Sequence, residues 1–211
     1  MISRLAAIAL LLTGITVAAP RLFYSKYFKG SVPEYVAITL EHNGQLTYQE
    51  GKDDQNSIKL QLPESDVRDA FGLADKLGHF QRPLESGLKV AQMGIKTFRF
   101  EDGDEKHEIQ FNYSQDENAQ AMLDWFERVS ETEGRFADLD RTVHYDKLGV
   151  NEVLVQMQIA YERHRLIGME QFLPLLDRII KNESYMHIAR ERASSLADII
   201  RKPPPSQEKT R

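Results

Sequence analysis

The sequence predicts an α+β fold, in which an antiparallel four- or five-stranded sheet has two helices on one face and is followed by an α-helical C-terminal region. Two stretches with alternating apolar and polar residues predict the sheet, because each surrounds a turn dipeptide, Asn43-Gly44 and Asp102-Gly103. The helical region is predicted because, after Gly134, the period of two disappears and apolar residues recur at helical spacing.

The first stretch predicts a hairpin, a third strand and a helix. Strands are expected over 35–42 and 45–51, joined by Asn43-Gly44, and a short strand follows over 58–62. Pro63 is tolerated in the first turn of a helix, and Gly78 is a typical helix end. Between them lies an apolar stripe: Val67, Ala70, Phe71, Ala74 and Leu77.

The second stretch repeats this order. Strands are expected over 95–101 and 107–113, and Ser114 with Glu117 matches a capping box at the start of the next helix. That helix has its own apolar stripe: Ala119, Met122, Leu123, Phe126 and Val129. A hairpin cannot bury its apolar face alone, so the two units, 35–78 and 95–131, are expected to share one sheet covered by both helices.

These patterns divide the chain into five parts. We expect an N-terminal signal peptide or membrane anchor over 1–19, a connector over 20–34 and the sheet domain over 35–133. A helical region follows over 135–201, with separate helices over 136–148, 150–161, 172–180 and 185–200. Three consecutive prolines introduce a tail, 202–211, that is expected to be disordered.

The N-terminus has the composition of an export signal. Arg4 precedes an uncharged run over 5–19 that ends in small residues, which is the order of a secretory signal peptide. Cleavage after Ala18 is acceptable, whereas cleavage after Ala19 would leave Pro20 as the first residue. An uncleaved anchor extending through residues 22–24 is the alternative, although the run is short for a full span. A buried core helix is the third interpretation.

The charge of the chain is uneven. Its net charge is −5, and residues 101–133 hold 11 acidic and 2 basic side chains. A sequence pI near 5.7 without a basic stripe argues against nucleic acid as a partner. The acidic block is expected to be a solvated hairpin tip and helix face, with a binding face for a basic partner as the alternative. Membrane contact is expected only through residues 1–29, and only if the signal is retained.

No motif for catalysis, cofactor binding or metal binding is present. The chain has no cysteine, which excludes disulfides and thiolate metal sites. Its six histidines form no H-E-x-x-H pair, and the glycine motifs of serine hydrolases and nucleotide-binding loops do not occur. The sequence therefore predicts no catalytic, cofactor-binding or metal-binding residue, and no cofactor.

The pattern over 35–131 resembles small exported bacterial domains of uncharacterised function. Those domains have a strand hairpin with a polar turn, a leucine-bearing helix introduced by Pro-Glu, a second hairpin and a closing helix. The segments that carry the resemblance are residues 36–40, 43–44, 62–64, 97–100 and 102–103. It implies an envelope location and an α+β fold, and it transfers no site residue.

Three hypotheses about function follow. The first is an exported, non-enzymatic cell-envelope protein that binds another envelope protein, with a groove near Met157, Met169, Met186 and Phe172 as one candidate surface. The second is a small-ligand carrier or sensor, with a pocket between sheet and helices lined by Phe98, Phe100, Phe111 and Tyr113. The third is a hydrolase whose histidines or carboxylates are distant in sequence.

Overall fold

A computed structural model describes residues 19–52 and 57–202, and in these ranges it shows a six-stranded antiparallel sheet and five α-helices. The signal or anchor segment up to residue 18 and the tail from residue 203 lie outside the described residues. Within the described ranges, no helix combines the length and apolar character needed to cross a bilayer.

The strands and helices have the following bounds. The strands are β1 (Arg21–Tyr27), β2 (Tyr35–Glu41), β3 (Gln45–Gln49), β4 (Ile58–Gln61), β5 (Ile95–Asp102) and β6 (Glu105–Phe111). The helices are α1 (Glu64–Lys76), α2 (Glu117–Tyr145), α3 (Val150–Glu162), α4 (Leu173–Lys181) and α5 (His187–Arg201). Short 3-10 turns follow α1 and precede α4. The order of strands in the sheet is β4-β3-β2-β1-β5-β6.

The connector predicted over 20–34 is wrong for residues 21–27, which form β1 at the centre of the sheet. β1 pairs with β2 on one side and with β5 on the other, so it joins the two predicted hairpins. Its inward side chains Leu22 and Tyr24 are almost completely buried. Residues 22–24, into which an uncleaved anchor was expected to extend, belong to this strand. This strand raises the number of strands to six, above the predicted four or five.

The two predicted hairpins are confirmed. β2 and β3 pair around the turn at Gly44, which has a φ of +88°, and β5 and β6 pair around Gly103, at +57°. Both values lie in the left-handed region, which glycine adopts without a steric cost. The second turn is centred one residue later than predicted, because Asp102 pairs with Glu105.

The helix α2 differs from the prediction at its start and at its end. Its N-cap is Asp116, whose carboxylate accepts hydrogen bonds from the N–H groups of Asn118 and Ala119, rather than Ser114. The separate helix predicted over 136–148 does not exist, because α2 continues through Gly134 to Tyr145. A glycine inside a helix costs only about 1 kcal/mol, which packing on both sides of it offsets.

Two hydrophobic cores lie along α2. In the first, α1 and the first half of α2 pack on the inward face of the sheet, around Phe98 and Phe126. In the second, the second half of α2 packs with α3, α4 and α5, around Leu139 and Phe172. Thr132 and Glu133 are buried between these two halves of α2. One long helix thus contributes to both the sheet layer and the helical layer.

Candidate functional site

Most of the large apolar side chains that the structure leaves exposed lie at one end of the sheet. Seven of them are at the end of β1, in the turn that follows it, or in the segment that leads into β5. We call these seven the apolar rim: Tyr27, Phe28, Val32, Leu88, Val90, Met93 and Ile95. Val32 is 99% exposed. Contiguous exposed apolar patches are typical of binding surfaces.

Close packing holds the parts of the rim together. Tyr27 is the register partner of Ile95 across β1 and β5. Gly94 lies so close to the end of β1 that an added Cβ atom would be 2.8 Å from the Cβ of Phe28. The side chain of Asn112 accepts a hydrogen bond from the N–H of Met93 (2.7 Å). The segment before β5 is thus bonded to the sheet, and the rim is a preformed surface.

Lysines border the rim. The Lys52 ammonium group lies 5.6 Å from the centroid of the Tyr27 ring and 5.8 Å from that of Tyr35. Lys29 and Lys89 are exposed nearby in the sequence. An apolar centre with a polar border is the usual composition of a protein interface.

A smaller apolar group lies at one end of the helical layer. It consists of Tyr145, Leu148, Met186 and Ile188, and a hydrogen bond from Lys147 to Ser184 joins the two loops that carry it. The predicted methionine groove is not formed, because the side chains of Met157 and Phe172 are completely buried. Two of its four proposed lining residues are core residues.

The aromatic residues predicted to line a ligand pocket fill the first core instead. Phe98, Phe100 and Phe111 are at most 4% exposed. The ring of Phe98 lies 5.1 Å from Phe111 and 6.0 Å from Phe126, centroid to centroid. Aromatic rings at these distances are in packing contact. The predicted lining is therefore wrong for these three residues.

Several acidic side chains of the block form ion pairs with basic side chains. Glu101 contacts Arg21, Arg99 and Lys106, and is itself only 14% exposed. Arg165 binds two acidic residues of α2, Asp124 at 2.5 Å and Glu131 at 3.0 Å. Arg82 contacts Asp116, and Lys26 lies near Glu127. The contacts of Glu101, Asp116, Asp124 and Glu131 favour a structural role for these residues over a binding face.

Two of the six histidines come together at the sheet. The ring of His79 stacks on Phe100 at 3.9 Å between centroids, and His107 is the register partner of Phe100. Each imidazole already has a carboxylate partner: His79 is 2.8 Å from Asp75, and His107 is 2.8 Å from Glu105. The stacking of His79 on Phe100, rather than either ion pair, connects the turn after α1 to the sheet.

The other four histidines, His42, His144, His164 and His187, are exposed and lie on separate elements. Among the residues that the structure describes, no three histidine, aspartate or glutamate side chains converge closely enough to hold a metal ion.

A scan against protein-family models finds no matching family, and a search of curated proteins finds no significant match. The resemblance to exported bacterial domains stays a prediction. The apolar rim was missed at the sequence level because Tyr27 and Phe28 were assigned to a connector. Its signal was nonetheless present, since Leu88, Val90 and Met93 are apolar residues in a predicted loop, where polar residues are the rule.

Proposed function

We propose that this protein is an exported, non-enzymatic protein of the cell envelope, and that it binds another envelope protein through the apolar rim. The exposure of the seven rim side chains at one end of the sheet is the observation that carries the proposal. Transfer of such side chains out of water contributes about 25 cal/mol per Å² of apolar area, so a partner that covers the rim gains binding energy there.

The position of β1 places the apolar rim at the end of the sheet opposite to the predicted export segment. The predicted export segment ends at residue 19, and β1 begins two residues later, at Arg21. The strand is seven residues long and leads to Tyr27 at the rim. At about 3.3 Å per residue, the rim lies roughly 20 Å from the end of the sheet where the segment enters. If the segment is retained in the membrane, the rim lies at the end of the sheet away from that segment, where a partner can reach it.

A site-specific photo-crosslinking experiment in intact cells tests this proposal. A photoreactive residue replaces Val32 or Ile95 in the rim, and a matched control replaces Gln45, which is exposed at the opposite end of the sheet. We expect one recurrent envelope protein attached to both rim positions and absent from the control. Equal attachment at Gln45, or attachment at neither rim position, contradicts the proposal.

Two further measurements separate the parts of the proposal. Cell fractionation tests export: recovery of the protein with the cytoplasm contradicts it. A screen of the purified chain for hydrolysis of ester, phosphate and glycoside substrates tests the absence of catalysis. Turnover that disappears when His79 or His107 is replaced by alanine would support the hydrolase hypothesis instead.

A further inference from the structure

A cleft separate from the predicted pocket opens between the sheet and α2. It has a volume of about 240 Å³ and lies under the turn between β1 and β2. Its polar lining includes Tyr24, Lys26 and Glu127. Pro33 and Val36 form its apolar wall, and the exposed Val32 of the apolar rim borders it. The hydroxyl groups of Ser31 and Ser130, which also line it, donate to backbone carbonyls.

Tyr24 is a buried side chain whose hydroxyl group has no protein partner. The residue is 1% exposed, and its ring stacks on Phe126 with centroids 4.7 Å apart and planes 9° from parallel. No residue among those described forms a hydrogen bond with its hydroxyl group. Tyr24 lines the cleft, where its hydroxyl group is available to form a hydrogen bond with a group from outside the chain.

The two charged groups of the cleft form an ion pair with each other. The Lys26 ammonium nitrogen lies 3.6 Å from a carboxylate oxygen of Glu127, and both side chains are partly exposed. Burial, and then the negative charge of Glu127, raise the pKa of Tyr24, so its hydroxyl group stays protonated. A positive group, a negative group and a neutral hydroxyl therefore face the same small space.

The surroundings keep these groups in position. Lys96, the register partner of Lys26, is 4% exposed and donates a hydrogen bond of 2.6 Å to the carbonyl of Asn112. Glu85 lies beyond Asn112 and accepts a hydrogen bond from its backbone N–H. Lys96 and Glu85 are thus bonded to Asn112, and Lys26 and Glu127 are the charged groups that the cleft offers to a ligand.

We infer that this cleft binds a small zwitterion of the amino-acid type. Its carboxylate pairs with Lys26, its ammonium group pairs with Glu127 and the Tyr24 hydroxyl, and a short apolar side chain lies against Val36 and Pro33. The volume lies below the range of about 300–1,000 Å³ that is typical of small-molecule sites, which restricts the ligand to about the size of a single amino acid. The inference does not depend on the proposed partner at the rim.

Calorimetric titration of the full chain with three related probes tests the inference. L-valine carries both charges, N-acetyl-L-valine carries only the carboxylate, and L-valinamide carries only the ammonium group. We expect saturable binding of L-valine with a Kd of about 1 mM or tighter, and at least about tenfold weaker binding of the other two. Equal binding of all three probes, or no saturable binding of L-valine at tens of millimolar, overturns the inference.

Variants locate the binding at the cleft. Lys26→Met and Glu127→Gln are each expected to weaken L-valine binding about tenfold or more, because each removes a charge-assisted contact. Tyr24→Phe keeps the stacked ring and removes a hydroxyl group with no protein partner, so the fold is expected to persist while binding weakens about three- to tenfold. Lys59→Met, on the outward face of β4, is the matched control. Unchanged binding in Tyr24→Phe and Lys26→Met overturns the assignment to this cleft.

Discussion

Replacing Leu22 by alanine tests the central position of β1. Leu22 has no solvent-accessible surface, and its register partners are Leu40 on β2 and Phe100 on β5. Leucine-to-alanine changes in well-packed cores cost about 2–5 kcal/mol. Because strands on both sides hold Leu22 in place, the site cannot collapse easily, and we expect a loss of about 3–4 kcal/mol in the free energy of unfolding.

The exposed Leu88 provides the matched control. It is 51% exposed in the segment before β5, so Leu88→Ala deletes the same atoms with little loss of packing. We expect this change to stay within about 0.5 kcal/mol of the parent. The contrast between the two variants then measures burial rather than side-chain chemistry.

Urea denaturation followed by tryptophan fluorescence measures both variants. The chain has a single tryptophan, Trp125, which is 1% exposed and lies 5.1 Å from Phe126 in the same core, centroid to centroid. With a urea dependence of about 2 kcal/mol per M, the Leu22→Ala midpoint should fall by roughly 1.5–2 M. A loss below about 1 kcal/mol, or one equal to that of Leu88→Ala, would show that β1 is not a core strand.

Three other substitutions have expected outcomes that follow from single contacts. Asp116→Ala removes the N-cap of α2 and should cost about 1 kcal/mol in urea denaturation near neutral pH. Burial raises the pKa of Asp116, but its hydrogen bonds and the charge of Arg82 lower the pKa by a larger amount, so it is lowered overall. The cost of Asp116→Ala should therefore shrink as pH falls through the folded-state pKa. Gly44→Ala should cost about 1–3 kcal/mol by the same assay, because φ is +88° and an added Cβ would lie 2.8 Å from the Leu62 carbonyl oxygen. Glu133→Gln should become more stable relative to the parent as pH rises. Burial raises the pKa of Glu133 more than the Gln171 hydrogen bond lowers it, so the parent loses stability as pH rises from the unfolded-state pKa to the higher folded-state pKa.

Each of these expectations has a control or a contradicting result. Asp116→Asn keeps the capping oxygen and should retain most of the stability, so an equal loss in both variants argues against the cap. Gly103→Ala has no atom within 4 Å of the added Cβ and should cost less than Gly44→Ala. A stability difference between Glu133→Gln and the parent that stays constant from about pH 4 to about pH 8 contradicts the raised pKa.

The hairpins were predictable because their signals are local. Alternation with a period of two places Ile38 and Leu40 on one face whatever the rest of the chain does, and Gly44 marks the turn by its positive φ. The start of α2 was misassigned because Ser114 and Asp116 are both good N-cap residues, and pattern alone does not choose between them. Asp116 is the cap in the structure, where it also contacts Arg82, 34 residues away in the sequence.

The candidate sites were not predictable in the same way. The Tyr24 cleft combines β1, the following turn and α2, which are about 100 residues apart in the chain. The rim joins the end of β1 to the segment before β5, through the register of Tyr27 with Ile95. No spacing rule connects such positions, because strand order within a sheet depends on packing across the whole fold.

The sequence by itself determined the two hairpins, the type of the helices that follow them and the absence of a recognisable catalytic motif. Turn residues and apolar periodicity act over a few neighbouring residues, so a short stretch of sequence contains the whole signal. Only the tertiary structure decided that Leu22 and Tyr24 belong to a central strand, that α2 passes unbroken through Gly134, and which apolar side chains stay exposed. These outcomes depend on which surfaces, distant in sequence, bury one another. The free energy of that burial comes from contacts between segments, so no single segment of the sequence predicts it.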